Sequence, residues 1–159
     1  MFMRAKPGMI QRADRMKKVL FVCTGNTCRS PMAKGIFEAE LKKREISDIL
    51  VDSCGLYAIA GDEATPNAVE AAKELGADIS THRSKPFNPY MLDDTDLFVC
   101  MTQNHAMVLV KYVPEEKILV LDIPDPYGGD LDTYQICAQS ILKSFNKIIE
   151  KLEEKHEKL

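Results

Sequence analysis

The sequence predicts an α/β fold: a three-layer sandwich with a four-stranded parallel sheet and helices on both faces. Three observations predict it. Four short apolar runs, residues 17–22, 49–51, 97–101 and 118–121, have the composition of buried strands. Segments of helical periodicity separate them, and strands alternating with helices mean parallel pairing through crossover helices. Right-handed crossovers then leave only a few doubly wound orders, whose ligands sit beyond the carboxyl ends of the strands.

Residues 1–16 mix basic and acidic side chains around Pro7-Gly8 without periodicity. They read as a disordered extension, or as an over-long start upstream of a natural one at Met16. Residues 17–159 read as a single domain, since a chain of 159 residues can bury one core but not two. The first strand ends in Val19-Leu20-Phe21-Val22 before Cys23, the pattern of a strand buried on both faces. A Gly-containing turn follows, and Ser30-Pro31 opens a helix, where the missing proline N–H would have had no partner anyway. Ile36, Phe37 and Leu41 make its apolar face.

Ile49-Leu50-Val51 is the second strand. Pro66 to Leu75 is the next helix, with Thr65 as N-cap and Gly76 as its stop. Residues 97–101 form the third strand, Gln103 to Val113 a helix, and residues 118–121 the fourth strand. A loop rich in Pro, Gly and Asp comes next. Ile141, Leu142, Phe145, Ile148, Ile149 and Leu152 then recur at the spacing of one last helix, whose tail is solvated charge.

The 45% hydrophobic and 28% charged content is that of an ordinary globular chain, and a net charge of -3 gives no basic field for nucleic acid or anionic lipid. An anionic substrate must therefore be held locally. No stretch reaches the ~20 apolar residues that cross a bilayer, so no membrane partner is expected. Five cysteines without a secretory signal point to a reducing, cytoplasmic setting in which they are thiols.

Cys23-Thr24-Gly25-Asn26-Thr27-Cys28-Arg29-Ser30-Pro31 runs from a strand into a helix N-terminus. A phosphate there meets backbone N–H groups and the positive end of the helix dipole, which makes Thr24, Gly25, Asn26, Thr27, Cys28 and Ser30 candidate phosphate-binding residues. Gly25 lets the backbone approach the anion, and Arg29 supplies a planar fork for two phosphate oxygens. The same positive surroundings favour the thiolate of Cys23, a nucleophile at neutral pH. Ser30 can donate to that sulfur, and Asn26 tolerates a left-handed backbone and ties the loop together. A leaving group also needs a proton donor. Asp125, held between two prolines beyond the fourth strand, suits that task, but the loop alone does not decide between it and Asp122.

Taken together, Cys23 to Pro31 and Asp125-Pro126-Tyr127-Gly128-Gly129 resemble the signatures of the low-molecular-weight protein tyrosine phosphatase family, and the likeness covers residues 17–155. The resemblance implies that family's fold, selects Asp125 as general acid, and makes phosphorylated proteins the substrates. It places Ser53 as support for Asn26, Cys28 as reversible disulfide partner of Cys23, and Tyr57 and Tyr127 on the pocket wall. Thr27 stands where tyrosine-specific members carry an apolar residue. The string resembles the protein-arginine phosphatases of the family, so phosphoarginine is favoured over phosphotyrosine.

The expected mechanism is a phosphocysteine intermediate formed by Cys23 and hydrolysed with Asp125 as base, with no metal and no cofactor. A zinc site at Cys23, Cys28 and His82 is not expected, because the paired ligand spacings are missing and Arg29 repels a cation. An arsenate reductase of the same fold is the remoter alternative, but residues 82–91 hold no cysteine for a disulfide relay. Cys54, Cys100 and Cys137 read as small apolar side chains. His82 reads as scaffold, and the default oligomeric expectation is a monomer.

Overall fold

The computed structural model describes residues 16–157, and its order of elements is alternating. They are β1 (Lys17–Cys23), α1 (Arg29–Lys43), β2 (Ile49–Gly55), α2 (Pro66–Glu74), α3 (Tyr90–Asp94), β3 (Leu97–Cys100), α4 (Gln103–Leu109), a 3-10 turn (Glu115–Lys117), β4 (Ile118–Val120), α5 (Leu131–Lys143) and α6 (Phe145–Glu157). The strands form one parallel sheet in the order β2-β1-β3-β4. The expectation for residues 1–16 falls, Met16 apart, outside the described residues.

Alternation along β1 builds two cores. Val19, Phe21 and Cys23 pack on one face with α1, α2, α5 and α6, while Leu20 and Val22 pack on the other with Met91, Ala106 and Leu109. The chain runs from β1 outward to β2, then crosses back over β1 to β3. Connections leave in opposite directions between β1 and β3, so a crevice opens at the carboxyl ends of those two strands. Cys23 stands at its floor.

Three local expectations need correction, and a fourth, Thr65 as N-cap of α2, holds in position without the side-chain bond. β2 is longer than its apolar run: it continues through Asp52-Ser53-Cys54-Gly55 because each residue pairs in register with β1, down to Cys23 opposite Gly55. Sheet pairing has overridden a polar sequence. Thr65 occupies the N-cap of α2 but makes no side-chain cap; its Oγ1 instead lies 3.6 Å from the Cys28 sulfur. The last helix is two helices. Ser144 donates its hydroxyl to the Ser140 carbonyl at 2.9 Å, a local bond that competes with the helical ladder where α5 ends and α6 begins. The helix expected over 103–113 is regular only to Leu109 and closes in turns that reach Val113. The short α3 carries no sequence periodicity, and Gly76, at φ +86°, ends α2 as expected.

Candidate active site

The loop between β1 and α1 is held by its carbonyls. Leu56 N–H donates to Cys23 O, Tyr57 N–H to Thr24 O (both 2.9 Å), and Thr65 N–H to Thr27 O (3.0 Å). His82 Nε2 donates to Asn26 O at 2.7 Å. All four acceptors are thus turned toward the surrounding elements. In a trans peptide the N–H points opposite to its carbonyl, so the N–H groups of Thr24, Gly25, Thr27 and Cys28 face the loop's interior. Among the described residues none of them has a protein partner. The result is a concave ring of donors at the start of α1, suited to an anion.

Asn26 locks this shape. It is fully buried with φ +58°, a conformation an asparagine accepts more readily than a bulkier residue. Its Nδ2 donates to Ser30 Oγ (2.7 Å) and Ser53 Oγ (3.0 Å), and its Oδ1 accepts the Lys85 N–H at 2.9 Å. Every polar group of the side chain is partnered. Gly55 seats the loop against β2: a Cβ there would lie 2.5 Å from Thr24 O and 2.9 Å from Asn26 N. Neither atom can retreat without moving the loop. Gly25 is different, since a Cβ would meet only Thr27 Oγ1, at 3.7 Å.

Cys23 Sγ sits 2.8 Å from Ser30 Oγ and accepts the Asn26 N–H at 3.3 Å. Burial pushes its thiol upward. The Ser30 hydroxyl, the N–H groups of Ser30 and Asn26 and the Arg29 guanidinium oppose that rise without cancelling it, so the thiol stays above its ordinary value. Each opposing group stabilises the anion, the form that attack on phosphorus needs. Arg29 is 4% exposed and donates from Nη1 to Ile123 O at 3.0 Å, while Nη2 lies 3.8 Å from Asp125 Oδ2. Ile123 is pinned to the sheet edge by its own N–H, which donates to Met101 O at 2.8 Å. One backbone segment therefore orients the guanidinium and presents Asp125, whose Oδ1 accepts the Tyr127 N–H at 3.0 Å.

These groups enclose a pocket of ≈ 210 Å³, lined by residues 23–29 with Asp125 and Tyr127. Asp122 and the exposed Tyr57 are not in the lining, so the pocket gathers one of the two candidate acids and one of the two tyrosines. A larger groove of ≈ 340 Å³ lies at the opposite edge of the sheet, by Lys17, Ile46 and Ile149, and holds none of this chemistry. Cys28 Sγ lies 3.5 Å from Tyr134 Oη as well as near Thr65. Cys54, Cys100 and Cys137 are buried, and burial pushes all three thiols up, Cys100 and Cys137 to about 12. Among the described residues no cluster of His, Cys, Asp and Glu has the makings of a metal site.

Two further supports hold the loop: His82, read from the sequence as scaffold, and His105, which the sequence reading did not single out. His82 carries the Asn26 carbonyl, and His105 Nε2 lies 2.9 Å from Thr24 Oγ1. The signal for His105 was the spacing Thr102-x-x-His105 at the end of β3. It forms a capping box, in which the Thr102 N–H donates to His105 Nδ1 at 3.2 Å. Burial and the nearby Arg29 hold the His105 ring down at about 4, against a smaller opposing pull from Asp125, so it is neutral at pH 7.

The sequence matches the family described as low molecular weight phosphotyrosine protein phosphatase over residues 18–158. It is 35% identical to a protein-arginine-phosphatase of Bacillus subtilis over 74% of this chain and 84% of that one. A crystal structure of a low molecular weight protein tyrosine phosphatase from T. tengcongensis superposes with a TM-score of 0.78 at 42% identity, covering 85% of this chain and 99% of the other. A YwlE arginine phosphatase whose active-site cysteine was replaced by a serine, found phosphorylated, superposes at 0.77 with 31% identity over 86% of this chain and 95% of its own. A glutaredoxin arsenate reductase of Synechocystis sp. is 30% identical over 86% of this chain and 99% of its own length. Family match, fold and loop geometry agree: the chain belongs to the low molecular weight phosphotyrosine protein phosphatase family and is a phosphatase.

Proposed function

We propose that this phosphatase acts on phosphoarginine in proteins through a phosphocysteine on Cys23. The observation that carries the substrate is Thr27. It lines the pocket that also holds Asp125, and among the described residues the one polar partner of its Oγ1 is the Cys28 sulfur, 3.9 Å away. A hydroxyl so weakly engaged has acceptor capacity for the donor-rich guanidinium, and a flat phenyl ring has no use for it. The arginine phosphatase among the relatives supports the same reading. Phosphotyrosine is the second reading, favoured by the tyrosine phosphatase among the solved structures.

In the first step the Cys23 thiolate attacks phosphorus in line. The S–P bond forms, the P–N bond breaks, and Asp125 gives its proton to the departing guanidine nitrogen. Charge building on the phosphoryl oxygens is met by Arg29 and the ring of N–H groups. In the second step Asp125 takes a proton from water, whose oxygen attacks phosphorus, and the P–S bond breaks to return the thiolate and inorganic phosphate. Ser30, 2.8 Å from Sγ, stabilises the leaving sulfur. The serine found phosphorylated in the mutant relative is what an attacking side chain at this position would leave behind. The arsenate reductase reading lacks a relay: apart from Cys28, the remaining thiols are buried and held protonated. Cys28, in the same loop, is the partner with which an oxidised Cys23 closes a disulfide.

The test is turnover on phosphoarginine and phosphotyrosine peptides of matched sequence, with EDTA present, for wild type and Thr27→Ile. Phosphoarginine preference in wild type, shifted toward phosphotyrosine by Thr27→Ile, is the expected result. A wild-type preference for phosphotyrosine that Thr27→Ile leaves unchanged would make this a tyrosine phosphatase.

A further inference from the structure

Thr24 stands directly after Cys23, exposed on the wall of the phosphate pocket, and its hydroxyl is held by one group from outside the loop. The direction of that bond follows from the far side of the imidazole. The Thr102 N–H can only donate, and it reaches His105 Nδ1. Nδ1 is therefore the acceptor, the ring proton sits on Nε2, and Thr24 Oγ1 receives it. A hydroxyl that has accepted still has one proton to give. Among the described residues the ring, a donor here, is the one side-chain partner of Thr24 Oγ1.

A phosphoryl group seated over Cys23 offers oxygens that only accept, whereas a guanidinium offers only donors. We propose that Thr24 Oγ1 donates a hydrogen bond to a phosphoryl oxygen, and that His105 is the positioning residue that turns the hydroxyl toward it. The inference rests on the phosphoryl group seating over Cys23. The relay has a rigid anchor: His105 is 5% exposed, and Thr102 holds Nδ1 from both its N–H and its Oγ1, each at 3.2 Å. The ring does not line the pocket, so it acts on substrate only through Thr24.

Inorganic phosphate is the probe, its affinity measured calorimetrically at pH 7 for wild type, Thr24→Val, Thr24→Ser, His105→Phe and the double variant Thr24→Val/His105→Phe. Thr24→Val and His105→Phe should each weaken phosphate binding roughly tenfold, the worth of one hydrogen bond to a charged group, with thermal midpoints showing that the variants fold. Thr24→Ser should keep wild-type affinity, and the double variant should bind no more weakly than Thr24→Val, since the ring then has nothing left to orient. Wild-type affinity in Thr24→Val, or full additivity in the double variant, would overturn the proposal. A wild type that binds no phosphate would remove the phosphoryl pocket itself, and this inference with it.

Discussion

Residue by residue, the loop is held in shape by groups that stand outside the pocket lining. His105 is the clearest case because its environment sets its charge. The folded ring titrates near 4 against an ordinary 6.5, depressed by burial first and Arg29 second. The neutral ring thus contributes stability that is full above pH 6.5 and is lost as pH falls toward 4. The upper size of that term is about 3 kcal/mol. Denaturant unfolding at pH 7, 5.5 and 4 should show His105→Phe losing less stability across the range than wild type does. Parallel curves for the two proteins would mean that the ring is not held neutral by folding. His82 is shifted in the same direction by burial and remains in both proteins, so it cancels in the comparison. That Cys23, Asn26 and Arg29 come together in one loop was legible in the sequence, because a strand, a Gly-containing turn and a helix start at this spacing converge there. His105 was not, and of His82 only the scaffold role was read and not its partner, since each reaches the loop across more than fifty residues and a chain shows no such proximity.

Secondary-structure elements position those residues by register. β2 places Ser53 beside Phe21 and Gly55 beside Cys23, so the support for Asn26 and the seat for the loop come from the same strand. The apolar run of β2 was readable, but its polar extension was not, because only pairing with β1 makes Asp52 to Gly55 a strand. The break at Ser144 was hidden for the opposite reason: apolar periodicity runs straight across it. Gly55→Ala puts a methyl against two backbone atoms of the loop, at 2.5 and 2.9 Å, and should cost about 3 kcal/mol of stability together with most of the activity. The contrasting Gly25→Ala meets only Thr27 Oγ1 and should keep the wild-type thermal midpoint. Equal midpoints for Gly55→Ala and wild type would show that the loop does not depend on this close approach.

Across the whole molecule, the doubly wound order brings three distant segments to one crevice: the end of β1, the loop after β4, and the edge of β2. The alternation of apolar runs with helical periodicity was enough to place that crevice, because strand order and crossover handedness leave few choices. It could not say which carboxylate faces the nucleophile; Asp122 and Asp125 are three residues apart, and only the path of the backbone through Ile123 separates them. In the mechanism we propose, the phosphoryl group passes through Cys23 and Asp125 acts in releasing it. The most direct measurement is rapid-quench peptide mass mapping of Asp125→Asn mixed with p-nitrophenyl phosphate. That leaving group needs no proton, so attack proceeds while hydrolysis, deprived of its base, slows by roughly 10²-fold or more. A phosphoryl group should accumulate on the peptide that carries Cys23, and none on that peptide in Cys23→Ala/Asp125→Asn. Continued turnover with an unmodified Cys23 peptide would contradict this mechanism.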